Sequence, residues 1–258
     1  MEEKLYFKNG EGLILCGVLT KPKKEISKCI VLCHGIGADK DEAGVFTQLA
    51  KRLSKVGFNV FRFDFRGHGE SEGNSIDMTV SGEKNDLEVA IKFMQNLEYS
   101  KFGILGASFG GGAVSFFTSE HTNIVKALVL MYALVDYQSI LHPRVTWSIK
   151  KFGEEQMKKL EKNGFISLDR NFKIGKKLFD DIKKLEPWKA LTRISTPILF
   201  VHGDKDTYVP YEDSVKYSKL LKNARLVTLH GSDHGFGENK EYAEIFYKAT
   251  INFFLKHL

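Results

Sequence analysis

The chain has 258 residues, of which 43% are hydrophobic and 27% charged, and a formal net charge of +6. It is long and apolar enough for one large globular domain, which excludes a disordered or low-complexity chain. The lysines behind the positive charge are scattered, with no zinc-finger spacing, RNA-binding aromatic signature or basic arm beside them, so they read as a solvated surface and not as a nucleic-acid interface.

The start, MEEKLYFKNGEG, is charged and unlike a signal peptide, and no stretch approaches the ~18 apolar residues of a membrane span. A soluble, cytoplasmic chain with no membrane partner is the expectation. Oligomeric state stays open, a homodimer included. Lys4 to Lys8 and Leu13 to Leu19 read as strands joined by the hairpin signal Asn9-Gly10-Glu11-Gly12, and Cys29 to Cys33 is the short apolar run of a strand buried on both faces. Cys16, Cys29 and Cys33 all fall in such segments. An odd count without a CxxC pair argues against a disulfide framework or zinc site and for buried thiols.

After His34-Gly35-Ile36-Gly37, residues Phe46, Leu49, Ala50 and Leu53 recur at helical spacing, predicting a helix from Val45 to Lys55 that Gly57 ends. Asn59 to Phe63 is the next strand and leads into Asp64-Phe-Arg66-Gly-His68-Gly. Thr79 or Ser81 can cap a helix running to about Gln95. Lys101 to Leu105 reads as a strand, Gly111 to Ser119 as helix and Val125 to Met131 as strand. Pro197 to His202 and Arg225 to Leu229 are the last strands, with helices at about Glu212 to Leu221 and Glu241 to His257. Strands alternating with helices after an opening hairpin predict an α/β fold: a mostly parallel, twisted sheet of about eight strands with helices on both faces. Residues 134–196 break the rhythm. They are lysine-rich and helical in character with no strand-like run, and are too long for a loop, so they are expected to form an inserted helical cap on a core of residues 1–133 and 197–258.

Gly106-Ala-Ser108-Phe-Gly110 lies between a strand and a helix. A serine at the apex of such a turn needs small neighbours, and the following helix N-terminus favours developing negative charge. Ser108 is therefore a candidate nucleophile, which needs a base and an orienting carboxylate. Both are available at downstream strand ends, in His202-Gly-Asp204-Lys-Asp206 and His230-Gly-Ser-Asp233-His234. Asp204 and Asp206 are rivals for the acid. His34, His68 and His202 each precede a glycine at a strand end or turn without paired carboxylate spacing, which argues against a metal.

The order Ser108, Asp206, His234 resembles that of the α/β-hydrolase fold. HGIG at 34–37, RFDFRGHGESEG at 62–73, DMTV at 77–80, HGDKDTYVP at 202–210 and SDHGF at 232–236 together resemble the cinnamoyl and feruloyl esterases, over nearly the full length except the cap. The resemblance implies a cofactor-free serine esterase acting on short or aromatic acyl esters, with Ser108 as nucleophile, His234 as base and Asp206 as the acid. It also implies an oxyanion hole from the backbone N–H groups of Ile36 and Phe109, and assigns His230 and Asp233 to loop structure. Tyr208 and Trp147 are candidates for substrate contact, and the remaining cap aromatics for cap core. The elbow reads GASFG where that group carries GHSQG, and is similar to the acyl-peptide and oligopeptide hydrolases, so cleavage of an acyl amide or thioester stays open. A non-catalytic binding protein on the same fold is the remaining alternative.

Overall fold

The structure is a computed structural model that describes residues 1–23, 27–169 and 172–258. Its first two strands, β1 (Glu2–Lys8) and β2 (Ile14–Thr20), pair antiparallel across the expected hairpin. Asn9 closes the turn, its Oδ1 accepting the N–H groups of Glu11 and Leu13 at 3.0 Å each. β1 begins at Glu2, ahead of its apolar pattern, because it is an edge strand with exposed charged residues, among them Lys4, which pairs with Glu70 at 2.7 Å.

Strand and helix then alternate: β3 (Lys28–Cys33), α1 (Val45–Lys55), β4 (Asn59–Phe63), α2 (Val80–Asn96), β5 (Lys101–Ala107), α3 (Gly110–Glu120) and β6 (Val125–Met131). Of the two possible caps for α2, Thr79 is the one used, its Oγ1 accepting the Gly82 N–H at 2.9 Å. The segment after β6 holds α4 (Gln138–Leu141), α5 (Thr146–Phe152), α6 (Glu154–Asn163), β7 (Phe165–Ser167), β8 (Lys173–Gly175), α7 (Lys176–Ile182) and α8 (Pro187–Leu191). The chain closes with β9 (Ile198–Gly203), α9 (Tyr211–Leu220), β10 (Ala224–Leu229) and α10 (Lys240–His257).

Eight strands form one sheet in the order β1-β2-β4-β3-β5-β6-β9-β10, antiparallel at β1-β2-β4 and parallel elsewhere. From β3 the chain first steps outward to β4 and then crosses back to β5 on the other side. The carboxyl ends of β3 and β5 therefore flank the switch point where open α/β sheets leave a crevice. Alternate residues of β3 face opposite layers: Cys29, Val31 and Cys33 join the side covered by α2 and α3, while Ile30 and Leu32 join that covered by α1 and α10. All three cysteines are buried and free.

The segment after β6 shares an apolar cluster with Met78, Val80, Phe109 and Val209, to which it contributes Tyr137, Phe152, Ile174 and Phe179 among others, whereas Leu191 and Ile194 pack into the sheet's core and Trp188 stacks on Tyr217 of α9. The reading of this segment as strandless is corrected by the antiparallel β7–β8 pair. At three residues each, these strands are too short for a period of two to register. Among the described residues, no helix is long and apolar enough to cross a membrane.

The RGHG stretch after β4 is anchored by a buried ion pair. Arg66 donates through Nε and Nη2 to Asp86, at 2.9 and 2.8 Å, and its own backbone N–H and the Asn9 amide reach the same carboxylate. Asp86 is fully buried. Arg66→Ala is expected to cost about 3–5 kcal/mol, because it leaves that charge without its cation. The loss would appear as a lower urea midpoint with an unchanged slope.

Candidate active site

Ser108 sits between the end of β5 and the start of α3 with φ 47°, an angle that non-glycine residues adopt only when their surroundings impose it. Three backbone bonds impose it here: the Ser108 N–H donates to the Met131 carbonyl at 2.9 Å, and its carbonyl accepts from Leu134 at 2.8 Å and Gly111 at 3.1 Å. The turn tolerates no side chain at Gly110, where a Cβ would collide with the His34 carbonyl. Neighbouring β6 and β3 thus hold the hydroxyl above the sheet at the head of α3.

Two histidine–aspartate pairs lie at the ends of β9 and β10, and the structure sorts them by burial. Asp204 Oδ2 meets His230 Nδ1 at 2.9 Å with the His230 side chain 83% exposed. Asp206 Oδ2 meets His234 Nδ1 at 2.7 Å with the Asp206 side chain wholly buried. Since a carboxylate only accepts, Nδ1 of His234 carries the hydrogen and Nε2 is left to take a proton. Burial pulls the Asp206 carboxyl upward, but the charge of His234 and the hydrogen bonds from His202 and His234 outweigh it and hold the group well below the usual carboxylate range. Asp206 Oδ1 is also satisfied, accepting the N–H groups of Tyr208 at 2.8 Å and Val209 at 2.9 Å. Asp233 serves the loop, accepting from Thr207 and the His234 N–H.

In the sequence His202 is only a histidine at a strand end, yet its Nε2 lies 3.0 Å from Asp206 Oδ2 and its Nδ1 2.7 Å from Ser214 Oγ. The carboxylate is thus gripped by two imidazoles. The i, i+4 spacing of His202 and Asp206 is visible in the sequence, but only the bend after β9 folds it into a contact. Among the described residues, no hydrogen bond joins Ser108 Oγ to His234 Nε2. Contacts of this type commonly tighten only with substrate in place.

The loop after β3 runs beside the elbow, and a Cβ on Gly35 would stand 3.0 Å from that of Ser108. The Gly35 carbonyl accepts from His34 Nδ1 at 2.8 Å, and His34 Nε2 accepts from the Phe65 N–H at 3.0 Å. These bonds fix the tautomer, and burial lowers the imidazole to about 4, keeping it neutral. In the planar Gly35–Ile36 peptide the Ile36 N–H points opposite to that carbonyl. Among the described residues, no backbone acceptor takes the N–H of Ile36 or of Phe109.

Ile36, Ser108 and Phe109 line one cavity of about 40 Å³ together with Leu134, Ile140, Trp147, Phe152 and Tyr208. Trp147 stacks on Tyr208 at 4.5 Å, and Tyr208 stacks on His234 at 4.7 Å and 8°. A column of rings therefore runs from the segment after β6 to the histidine. Elsewhere Cys16, Asp64 and Glu70 bring potential metal ligands within 4.8 Å of one another, but the Lys40 ammonium occupies that position, 3.0 Å from Asp64 and 2.8 Å from Glu70.

A family model described as serine aminopeptidase, S33 (Hydrolase_4) matches residues 24–240. The chain belongs to this S33 family of α/β-hydrolases. The S33 chain is 25% identical over 213 residues to the human serine hydrolase BPHL, covering 79% of this chain and 72% of that one. It is 25% identical over 227 residues to a putative esterase/lipase of Haemophilus influenzae, covering 80% and 76%. Its fold superposes on Est1E from Butyrivibrio proteoclasticus with ferulic acid bound, with a TM-score of 0.85 and 24% identity over 98% of both chains. These likenesses establish an α/β-hydrolase that shares its fold with Est1E.

Proposed function

We propose that this hydrolase cleaves carboxylic esters of short or aromatic acyl groups through an acyl-enzyme on Ser108. The observation that carries the proposal is the buried Asp206–His234 pair, 2.7 Å apart, linked through Tyr208 to the cavity in which Ser108 stands at the head of α3. His234 Nε2 takes the Ser108 proton as Oγ attacks the ester carbonyl. The resulting oxyanion is held by the N–H groups of Ile36 and Phe109. Collapse breaks the bond to the alcohol, which leaves with the proton from His234. Water then loses a proton to His234 and attacks the acyl-enzyme, releasing the acid and restoring Ser108.

The mostly apolar lining of the cavity suits an acyl group, short or aromatic. Residues 134–196 act, in this reading, as the cap that closes the site, with Trp147 as the contact between cap and acyl group. Labelling with a fluorophosphonate tests for a reactive serine, and blocking of that label by Ser108→Ala assigns it. A panel of p-nitrophenyl esters, acyl thioesters and aminoacyl anilides then ranks the substrate classes, and preference for the anilides would make the chain an aminopeptidase instead. Trp147→Ala is expected to raise kcat/KM for butyrate relative to acetate at least about tenfold, since added methylenes gain room. Ser108 labelling should stay near the parent rate.

A further inference from the structure

Backbone strain points to one more side chain. Among the described residues, five non-glycine residues have positive φ, and four belong to the segments that meet at Ser108: Glu42 (φ 44°), Ala43 (φ 50°), Tyr132 (φ 38°) and Ser108 itself (φ 47°). Such angles persist where surrounding contacts over-determine them, and they concentrate at working sites. For Glu42 those contacts are specific. One carboxylate oxygen accepts the Gly35 N–H at 2.9 Å, and the other lies 3.5 Å from the Tyr132 hydroxyl. The Tyr132 ring packs 4.2 Å from that of His234.

Gly35 is thereby tethered at both ends. Its carbonyl is held by the His34 ring and by the Ala38 N–H at 3.2 Å, and its N–H by Glu42. The Ile36 N–H belongs to the peptide that begins with that carbonyl, so its direction depends on both tethers. We propose that Glu42 is a positioning residue: by fixing the Gly35 N–H it keeps the Ile36 N–H aimed at the carbonyl oxygen of an ester attacked by Ser108. This rests on the serine-hydrolase reading above.

The site also makes the tether sensitive to pH. Burial pushes the Glu42 carboxyl up to about 7, opposed by the Gly35 N–H, the charge of His234 and the Tyr132 hydroxyl, and reinforced by Asp39. Among the described residues, those are the polar and charged groups with the largest influence on it, with Asp206 behind His234. A protonated carboxyl is a weaker acceptor than a carboxylate, so the hold on Gly35 loosens as pH falls through neutrality.

Two variants of similar length separate a hydrogen-bonding role from packing. Glu42→Gln keeps an oxygen that can accept from Gly35, whereas Glu42→Met fills the space without one. With p-nitrophenyl acetate, Glu42→Met is expected to lower kcat about 100-fold, the scale of a lost oxyanion donor, with KM within about threefold of the parent. Glu42→Gln should keep kcat within about fivefold, having lost only the charge assistance. The acid limb of the parent's kcat/KM profile should then carry a shoulder near neutral pH, of the same size as the Gln deficit, and Glu42→Gln should lack it. Equal activity of the two variants at matched melting temperatures would overturn the proposal. Should Glu42→Met not melt cooperatively, a shoulder that persists in Glu42→Gln would overturn it alone. A parent whose Ser108 is not labelled by a fluorophosphonate removes the hydrolase reading itself. Normal labelling of the parent with an equal labelling rate in Glu42→Met removes only the role of Glu42.

Discussion

Ser108→Ala is expected to lower kcat/KM on p-nitrophenyl acetate by about 10⁴- to 10⁶-fold, while its melting temperature stays within about 2 °C of the parent. The two halves of this expectation have different origins. Ser108 is held by its own backbone, through bonds to Met131, Leu134 and Gly111, all of which an alanine keeps. Serine and alanine both carry a Cβ, so the steric cost of the positive φ is already present in the parent and the change adds little strain. What disappears, on the proposed mechanism, is the oxygen that forms the acyl bond, and with it the covalent route. His234→Ala should lose a comparable factor, and the double variant should be hardly worse than either single one, because in the proposed mechanism nucleophile and base act in the same step. Retention of a tenth of the parent activity by Ser108→Ala would place the chemistry elsewhere.

Asp206→Asn is expected to cost about 10⁴-fold in kcat, against a few-fold at most for Asp204→Asn. The contacts of Asp206 explain the size of the effect. Its Oδ1 is committed to the N–H groups of Tyr208 and Val209, so an asparagine would keep its carbonyl oxygen there and turn its NH₂ toward the position of Oδ2. That group would then face Nδ1 of His234 and Nε2 of His202, both of which now donate to the carboxylate. Donor against donor forces His234 into the other tautomer, with the hydrogen on Nε2 and no lone pair for the Ser108 proton. Asp204 instead meets the exposed His230 and the Gly231 N–H at the surface, where water can replace either partner. A folded Asp206→Asn variant that outperforms Asp204→Asn would transfer the acid role to Asp204.

The eight strands of the main sheet are legible from the chain alone because each carries its signal in a short window. Cys29 to Cys33 is continuously apolar where β3 is buried on both faces, and Val45, Phe46, Leu49, Ala50 and Leu53 mark the buried side of α1 within three turns. The elbow is equally local, since Gly106, Ser108 and Gly110 must bend the chain wherever a strand runs directly into a helix. The order of Ser108, Asp206 and His234 along the chain can likewise be read without coordinates, as can the break in the strand–helix rhythm over residues 134–196.

Contacts between distant segments could not be read this way, because no local pattern encodes them. The β7–β8 pair lies inside the lysine-rich segment and draws its order from pairing and packing, with Gly175 set against the Ile76 carbonyl across nearly a hundred residues of chain. Asp204 and Asp206 are equivalent in composition and two positions apart. Only the path of the chain after β9 buries one carboxylate under two histidines and leaves the other near the surface. Glu42 is an unremarked acid in a polar loop until three positive-φ segments fold together and turn it onto Gly35. Local periodicity is imposed by each residue's immediate neighbours and survives in the sequence, so the sheet, the helices and the elbow were determined there. Burial, tautomer and hydrogen-bond partner depend on what arrives from elsewhere in the chain, and the sorting of the two Asp–His pairs, the second imidazole on Asp206 and the tether on the Ile36 loop were decided only by the tertiary structure.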